Sequence, residues 1–220
     1  MKLYSNIICI LTAGMISCFS QGFINLDFES AVINPDPSSP YYPYAVYDTN
    51  AMPGWTAYIN GSPQQDIIYN TRPLDAAAVT LQGTNSVLTP IQGNFTVELF
   101  GSSMFAPQQS AAIGQTAQIP AFAMSLIFWG NIGGLQITFN NQPLAFNSIG
   151  STDTYTIWSA DVSAYAGQTG QLVFTVPWQS SALLDSIQFS SSPVPEPSAL
   201  GLSALGGLLL ACRRWKNPSR

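Results

Sequence analysis

Of the eleven acidic residues in the 220-residue chain, six stand where they could do chemistry: Glu29, Asp66, Asp75, Glu98, Asp153 and Asp185. Two carboxylates flanking a glycosidic bond would make a glycoside hydrolase. No spacing along the chain pairs these six, and Glu98 falls in the alternating stretch Phe95-Thr-Val-Glu-Leu99, where it reads as an exposed strand position. Hydrolysis by carboxylates is therefore the alternative reading and a non-catalytic body the main one. The sequence contains no histidine, which removes His-assisted serine or cysteine catalysis and every imidazole-ligated metal. Its three cysteines, Cys9, Cys18 and Cys212, all fall in terminal segments, so the body has no thiol nucleophile, thiolate metal site or disulfide.

Aromatic side chains are the other candidate chemistry, because sugar rings present apolar faces that stack on Trp and Tyr while neighbouring amides bind hydroxyls. The body supplies Trp55, Tyr58, Trp129, Trp158 and Trp178, with a dense run at Tyr41, Tyr42 and Tyr44 followed by Tyr47. Trp129, beside Leu126-Ile-Phe128, reads as core, as does Trp55. Trp178, at a strand exit in Val176-Pro-Trp-Gln179, and Tyr41, Tyr42 and Tyr44 read as exposed, and they are the candidate glycan contacts. Asn, Gln, Ser and Thr dominate the polar positions, which favours a neutral, hydroxyl-rich partner such as an extracellular polysaccharide.

The charge distribution narrows the partners further. Charged residues make up 8% of the chain and the formal net charge is -5. Lys2 lies at one end and Arg213, Arg214, Lys216 and Arg220 at the other, leaving Arg72 as the only cation between them. Such a body cannot neutralise a phosphate backbone, so nucleic-acid binding is excluded.

The elements that must position these residues read as strands. Phe23–Phe28, Phe95–Leu99, Leu135–Phe139, Leu172–Val176 and Leu184–Phe189 alternate or nearly so, and the mostly apolar Met124–Trp129 suits a central strand. Pro53-Gly54, Asn60-Gly61, Gly133-Gly134 and Asn140-Asn141 mark turns. Asp161–Gly167 suits one helical turn, with Asp161 as its cap and Gly167 as its stop. With no long amphipathic helix, about eight to ten strands predict an all-β fold, a single jelly-roll-like β-sandwich over residues 22–192.

The two ends are targeting segments. Lys2, the apolar run Ile7–Phe19 and the small residues that follow describe a secretory signal peptide over 1–21, to be removed by signal peptidase. Met15-Ile-Ser-Cys18 also fits a lipoprotein box, which would make Cys18 a lipidated first residue. Residues 193–220 hold a Ser/Pro linker, an uncharged apolar helix over Ser198–Cys212 and a basic membrane stop at Arg213, Arg214 and Lys216. Fifteen residues of helix extend roughly 22 Å, short of a ~30 Å hydrocarbon core, which suits a processing signal better than a permanent anchor. The arginines place the body outside the cell.

Val194-Pro-Glu-Pro197, the Gly/Leu-rich helix and Arg213-Arg-x-Lys216 together resemble the PEP-CTERM sorting domain of Gram-negative bacteria over about residues 193–217. The resemblance implies recognition by an exosortase, a membrane cysteine transpeptidase that cuts near Pro195, Glu196 and Pro197. The protein would then be transiently membrane-anchored and finally released or passed to the cell surface, commonly among exopolysaccharides. More weakly, Asn25-Leu-Asp-Phe-Glu29, Pro53-Gly-Trp55, Ala160–Gly167 and Leu184–Phe189 are similar in order to the galactose-binding-type jelly roll of many carbohydrate-binding modules. That similarity implies a structural calcium near the joined first and last strands, with Glu29 and Asp185 as its ligands.

Overall fold

The structure is a computed structural model and describes residues 22–72, 75–104 and 107–194. The signal-peptide segment with Cys18 lies outside the described residues, as do Pro195, Glu196, Pro197, the apolar segment 198–212 and Arg213, Arg214 and Lys216. Among the described residues no helix is long and apolar enough to cross a membrane.

The strands are β1 Ala45–Tyr47, β2 Thr56–Ile59, β3 Ser62–Pro63, β4 Asp66–Tyr69, β5 Ala78–Gly83, β6 Phe95–Phe100, β7 Ala111–Gln118, β8 Ser125–Ile132, β9 Gln136–Phe139, β10 Gln142–Pro143, β11 Phe146–Ser151, β12 Thr156–Asp161, β13 Thr169–Val176 and β14 Ser181–Ser190. One helical turn, α1 Asp48–Ala51, follows β1, and a 3-10 turn spans Ser163–Tyr165. An eight-stranded sheet runs β1-β4-β5-β6-β14-β8-β12-β11 and a six-stranded sheet runs β10-β9-β13-β7-β2-β3. The all-β, sandwich-like architecture agrees with the sequence pattern, in more strands than expected, and β8, β13 and β14 run longer than the segments that marked them.

The inward faces meet in one apolar core. A file of rings runs through it: Phe28 to Trp55 at 5.8 Å, Trp55 to Phe174 at 6.1 Å, Phe174 to Phe128 at 5.7 Å and Phe128 to Phe146 at 5.7 Å. Such tilted and edge-on pairs add attraction beyond the area they bury. Alternation in β6 and β8 sends Val97, Leu99, Leu126 and Phe128 into this core. It sends Thr96, Glu98 and Trp129 to the outer face of the larger sheet.

The expected turns form. Asn60 and Gly61 take φ values of 49° and 78°, and Asn140 and Asn141 take 49° and 62°, the left-handed backbone of tight hairpins. Asp161 ends β12 and accepts the Ser163 N–H at 2.9 Å, but Val162 and Ala166, not Asp161 and Gly167, flank the 3-10 turn, with Gly167 following at φ 76°. Phe23–Phe28 is not a strand. Asn25 and Phe28 sit at φ 50° and 60°, the segment makes a single bridge at Gly22, and Phe28 folds back into the core. Phe28 is buried by this turning rather than by strand pairing, Phe23 and Leu26 are partly buried, and Ile24 stays exposed.

Candidate functional site

The outer face of the eight-stranded sheet carries a groove. β5 and β6 form its floor, with Gln82 and Glu98 diagonal neighbours across the pair and Thr80 directly opposite Glu98. Glu98 is 1% exposed, so it is a buried carboxylate and not the surface strand position its pattern suggests. Alternation put it on the outer face as expected, and the chain that crosses that face covers it. After β4, Asn70 takes φ 54° and accepts the Gly83 N–H at 2.7 Å, turning the chain over the sheet. Arg72 follows, and its Nη2 bonds to Glu98 Oε1 while its guanidinium lies 4.8 Å from the Phe100 ring centroid. Gln82 Nε2 donates to Glu98 Oε2 at 2.7 Å, and Ser86 Oγ donates to Gln82 Oε1. A buried charge needs both a partner and hydrogen bonds, and this network gives Glu98 both.

Beside the network lies a hollow of about 370 Å³, with Val87 at its rim 97% exposed. Thr71 and Arg72 also line a second hollow of about 350 Å³, whose wall is Pro40, Tyr41, Tyr42 and Tyr44. The three tyrosines are half or more exposed. Their loop is held by Tyr44 N–H donating to Tyr41 O at 2.9 Å and Tyr69 N–H donating to Tyr44 O at 2.8 Å. The structure thus joins the tyrosine run to Arg72 and Glu98. The sequence offered one signal for Arg72, its isolation as the body's only cation, and none for its partner.

Trp178 stands apart from this groove, half-buried, its indole N–H donating to Ser103 O at 2.9 Å. Trp55 is core as expected, 3% exposed, but Trp129 is not. It lies partly exposed on the outer sheet face, stacked on Tyr155 with centroids 4.9 Å apart and rings within 12° of parallel. Its apolar neighbours in sequence, Leu126 and Phe128, take the inward positions of β8.

Glu29 and Asp185 come together at a third place, a cleft of about 180 Å³ that they line with Asp27, Gln92 and Gly93. Glu29 Oε1 accepts the N–H groups of Asn94 at 2.8 Å and Phe95 at 2.9 Å, and Oε2 accepts Asn94 Nδ2 at 2.9 Å. Asp185 Oδ2 accepts Gln92 N–H at 3.0 Å and Thr96 Oγ1 at 2.6 Å, and Oδ1 accepts Ser186 N–H at 2.6 Å. Burial raises the Asp185 carboxyl above its ordinary value against these bonds, and the Glu29 charge adds to the rise. Calcium takes about six to eight oxygens. Here the carboxylate oxygens are engaged by the turn before β6 and by the Ser186 N–H, and among the described residues no group of three or more acidic, His or Cys side chains could hold a metal ion. As placed, the residues do not fit a calcium site; they clasp that turn.

Of the remaining carboxylates, Asp75 accepts Ser103 Oγ at 2.6 Å, Asp153 lies in the turn between β11 and β12, and Asp66 begins β4. None lines the hollow beside Glu98.

Residues 193–214 match the PEP-CTERM protein-sorting motif. The motif indicates secretion with transient membrane anchoring through a C-terminus processed by an exosortase. No curated protein matches the chain in sequence. Among solved structures, a family 11 carbohydrate-binding module from Clostridium thermocellum, in complex with a beta-1,3-1,4-mixed-linked tetrasaccharide, is similar over 69% of this chain and 97% of its own, at 9% identity and a TM-score of 0.36. The enzymatically active domain of bacteriophage CBA120 tailspike protein 4 is similar over 63% of this chain and 19% of its own, at 14% identity and a TM-score of 0.37. A beta-glucosidase from Kluyveromyces marxianus in complex with glucose is similar over 75% of this chain and 18% of its own, at 11% identity and a TM-score of 0.33.

Proposed function

We propose that the exported protein is a non-catalytic surface or matrix module of a Gram-negative bacterium, and that it binds a neutral extracellular polysaccharide in the groove joining Tyr41, Tyr42 and Tyr44 to Arg72 and Glu98. The carrying observation is that junction: exposed aromatic faces on one side of Arg72 and a charge-neutral hydrogen-bonding network on the other. Rings stack on tyrosines, hydroxyls accept from the part-exposed Arg72 that the buried Glu98 holds in place, and the matched charges give no attraction for an anionic chain. A hydrolase would require a second carboxylate facing Glu98 across the bond. Glu98 is instead held by Arg72 and Gln82, and among the described residues no other acidic side chain lines the hollow beside it.

The test is affinity electrophoresis of the protein recovered from the medium, through gels containing a neutral β-glucan or a uronic-acid polymer. Retardation by the neutral polymer alone, abolished by Tyr42→Ala, is expected; equal mobility in both gels and a blank gel would overturn the reading.

A further inference from the structure

The chain enters and leaves the sandwich at one pole. Gly22 bridges Gln118 at the end of β7, and β14 runs out at Ser190, whose carbonyl accepts the Met124 N–H at 2.8 Å. Ser125 Oγ then holds the carbonyl of Ser192 at 2.7 Å, the last such tie before the sorting motif. Between these two points lies the loop from β7 to β8, residues 119–124. It is firmly framed. Ile119 is buried and exchanges backbone hydrogen bonds with Gln168 and Gly167 at 3.0 Å each, and Ala123 N–H closes a turn onto Pro120 O at 2.9 Å. From this frame Phe122 projects 62% exposed and Met124 40% exposed. Asp161, at the same pole by its pairing with Ser125, turns its carboxylate back onto the Ser163 N–H.

The stretch beyond Ser192 is short and rich in proline. Five residues, three of them Pro193, Pro195 and Pro197, separate Ser192 from the start of the apolar segment at Ser198, a rise of six residues. In the polyproline conformation that is about 19 Å. The eight-residue strands β7 and β13 span about 27 Å, so the tether is shorter than the sandwich is tall. With the apolar segment in a bilayer, the pole bearing Phe122 and Met124 is the one brought to the headgroups.

We propose that the Ile119–Met124 loop is a membrane-facing surface: while the C-terminal segment holds the protein, Phe122 and Met124 enter the lipid–water interface and seat the sandwich upright on the bilayer. This rests on the reading of residues 193–214 as a membrane-held sorting tail. The seat fixes Pro195–Pro197 close above the lipid, where a membrane-embedded protease can reach them. Two side chains cannot hold the body once the tail is cut, since even a single acyl chain gives only marginal binding, so cleavage releases it.

The full chain, signal segment removed and Cys212 replaced by Ser, would be reconstituted in phosphatidylethanolamine/phosphatidylglycerol vesicles. A fluorophore would be placed on Ala121→Cys, or on Ser62→Cys at the opposite pole. Spin-labelled lipid headgroups should quench the label at 121 several-fold more than the label at 62. Adding Phe122→Ser and Met124→Ser should remove most of that difference while the protein still sediments with the vesicles. Equal quenching at the two sites in sedimenting protein would overturn the seat and leave the tail reading intact. Protein that stays in the supernatant would overturn both.

Discussion

Arg72 reaches across the outer sheet face to Glu98 and matches the only cation between Lys2 and Arg213 with a carboxylate that is 1% exposed. The Arg72 side chain is 41% exposed, so solvent weakens its share of the attraction, while Glu98 has no access to water if the partner is lost. Arg72→Met is expected to destabilise the fold by about 1–3 kcal/mol. Adding Glu98→Gln should recover most of that loss, because a neutral amide can still bond Gln82. Urea unfolding of the two single variants and the double variant measures the coupling; purely additive losses would show that the pair does not act as a unit.

The clasp at Glu29 and Asp185 gives a second expectation. Gly93 has φ 62°, and a Cβ there would collide with the Glu29 carboxylate. Gly93→Ala should therefore destabilise by about 1–3 kcal/mol, through both strain and displacement of Glu29. Because the chain itself satisfies the carboxylates, EDTA should leave the melting temperature unchanged. A melting temperature raised by millimolar calcium would show that cation binding displaces the N–H donors at this cleft.

The contrast between Glu98 and Phe23–Phe28 shows what was legible in the sequence. Period-two alternation located β6, β9, β13 and β14, since a strand buried on one face must alternate. Asn-Gly and Asn-Asn pairs located hairpins, since few residues tolerate a positive φ. Alternation names the face a side chain takes and not what covers that face, so the segment that hides Glu98 left no local trace. Phe23–Phe28 failed for the converse reason, because a turning segment can bury one anchor, Phe28, without a ladder, and its alternation is then not a strand signal. Trp129 was misplaced because its apolar neighbours hid the alternation of β8. The tyrosine run was visible, but its union with Arg72 depends on contacts between segments far apart in the chain. The sorting motif was fully legible, because residue identity and order along the chain define it.

The candidate aromatics divide by what already occupies them. The indole N–H of Trp178 is committed to Ser103, whereas Tyr41, Tyr42 and Tyr44 offer open faces. Tyr41→Ala and Tyr42→Ala should each weaken glycan binding by about tenfold, in line with the roughly 1–3 kcal/mol a ring contributes when it stacks on a ligand ring. Trp178→Phe should leave affinity unchanged and lower stability slightly. Isothermal titration with an oligosaccharide of the retarding polymer separates the two, and a larger loss at Trp178 would move the site to the β13–β14 turn.

Asp48 should set the response to pH. It is 3% exposed; its Oδ2 accepts the Ala57 N–H at 3.2 Å while Oδ1 has no hydrogen-bond partner among the described residues. Burial pushes its carboxyl up to about 6 from an ordinary 3.8, and the Ala57 bond offsets only part of this. The folded chain therefore holds this proton more tightly than the unfolded chain. The resulting stabilisation is complete below about pH 4 and is lost as pH rises through 6, amounting to at most about 3 kcal/mol. Asp48→Asn keeps an acceptor for Ala57 and carries no charge, so it should melt at a higher temperature than the parent at pH 7 and near the parent's temperature at pH 4. Melting temperatures of both proteins across pH 4 to 8 check this; a constant difference between them would show that Asp48 stays ionised throughout.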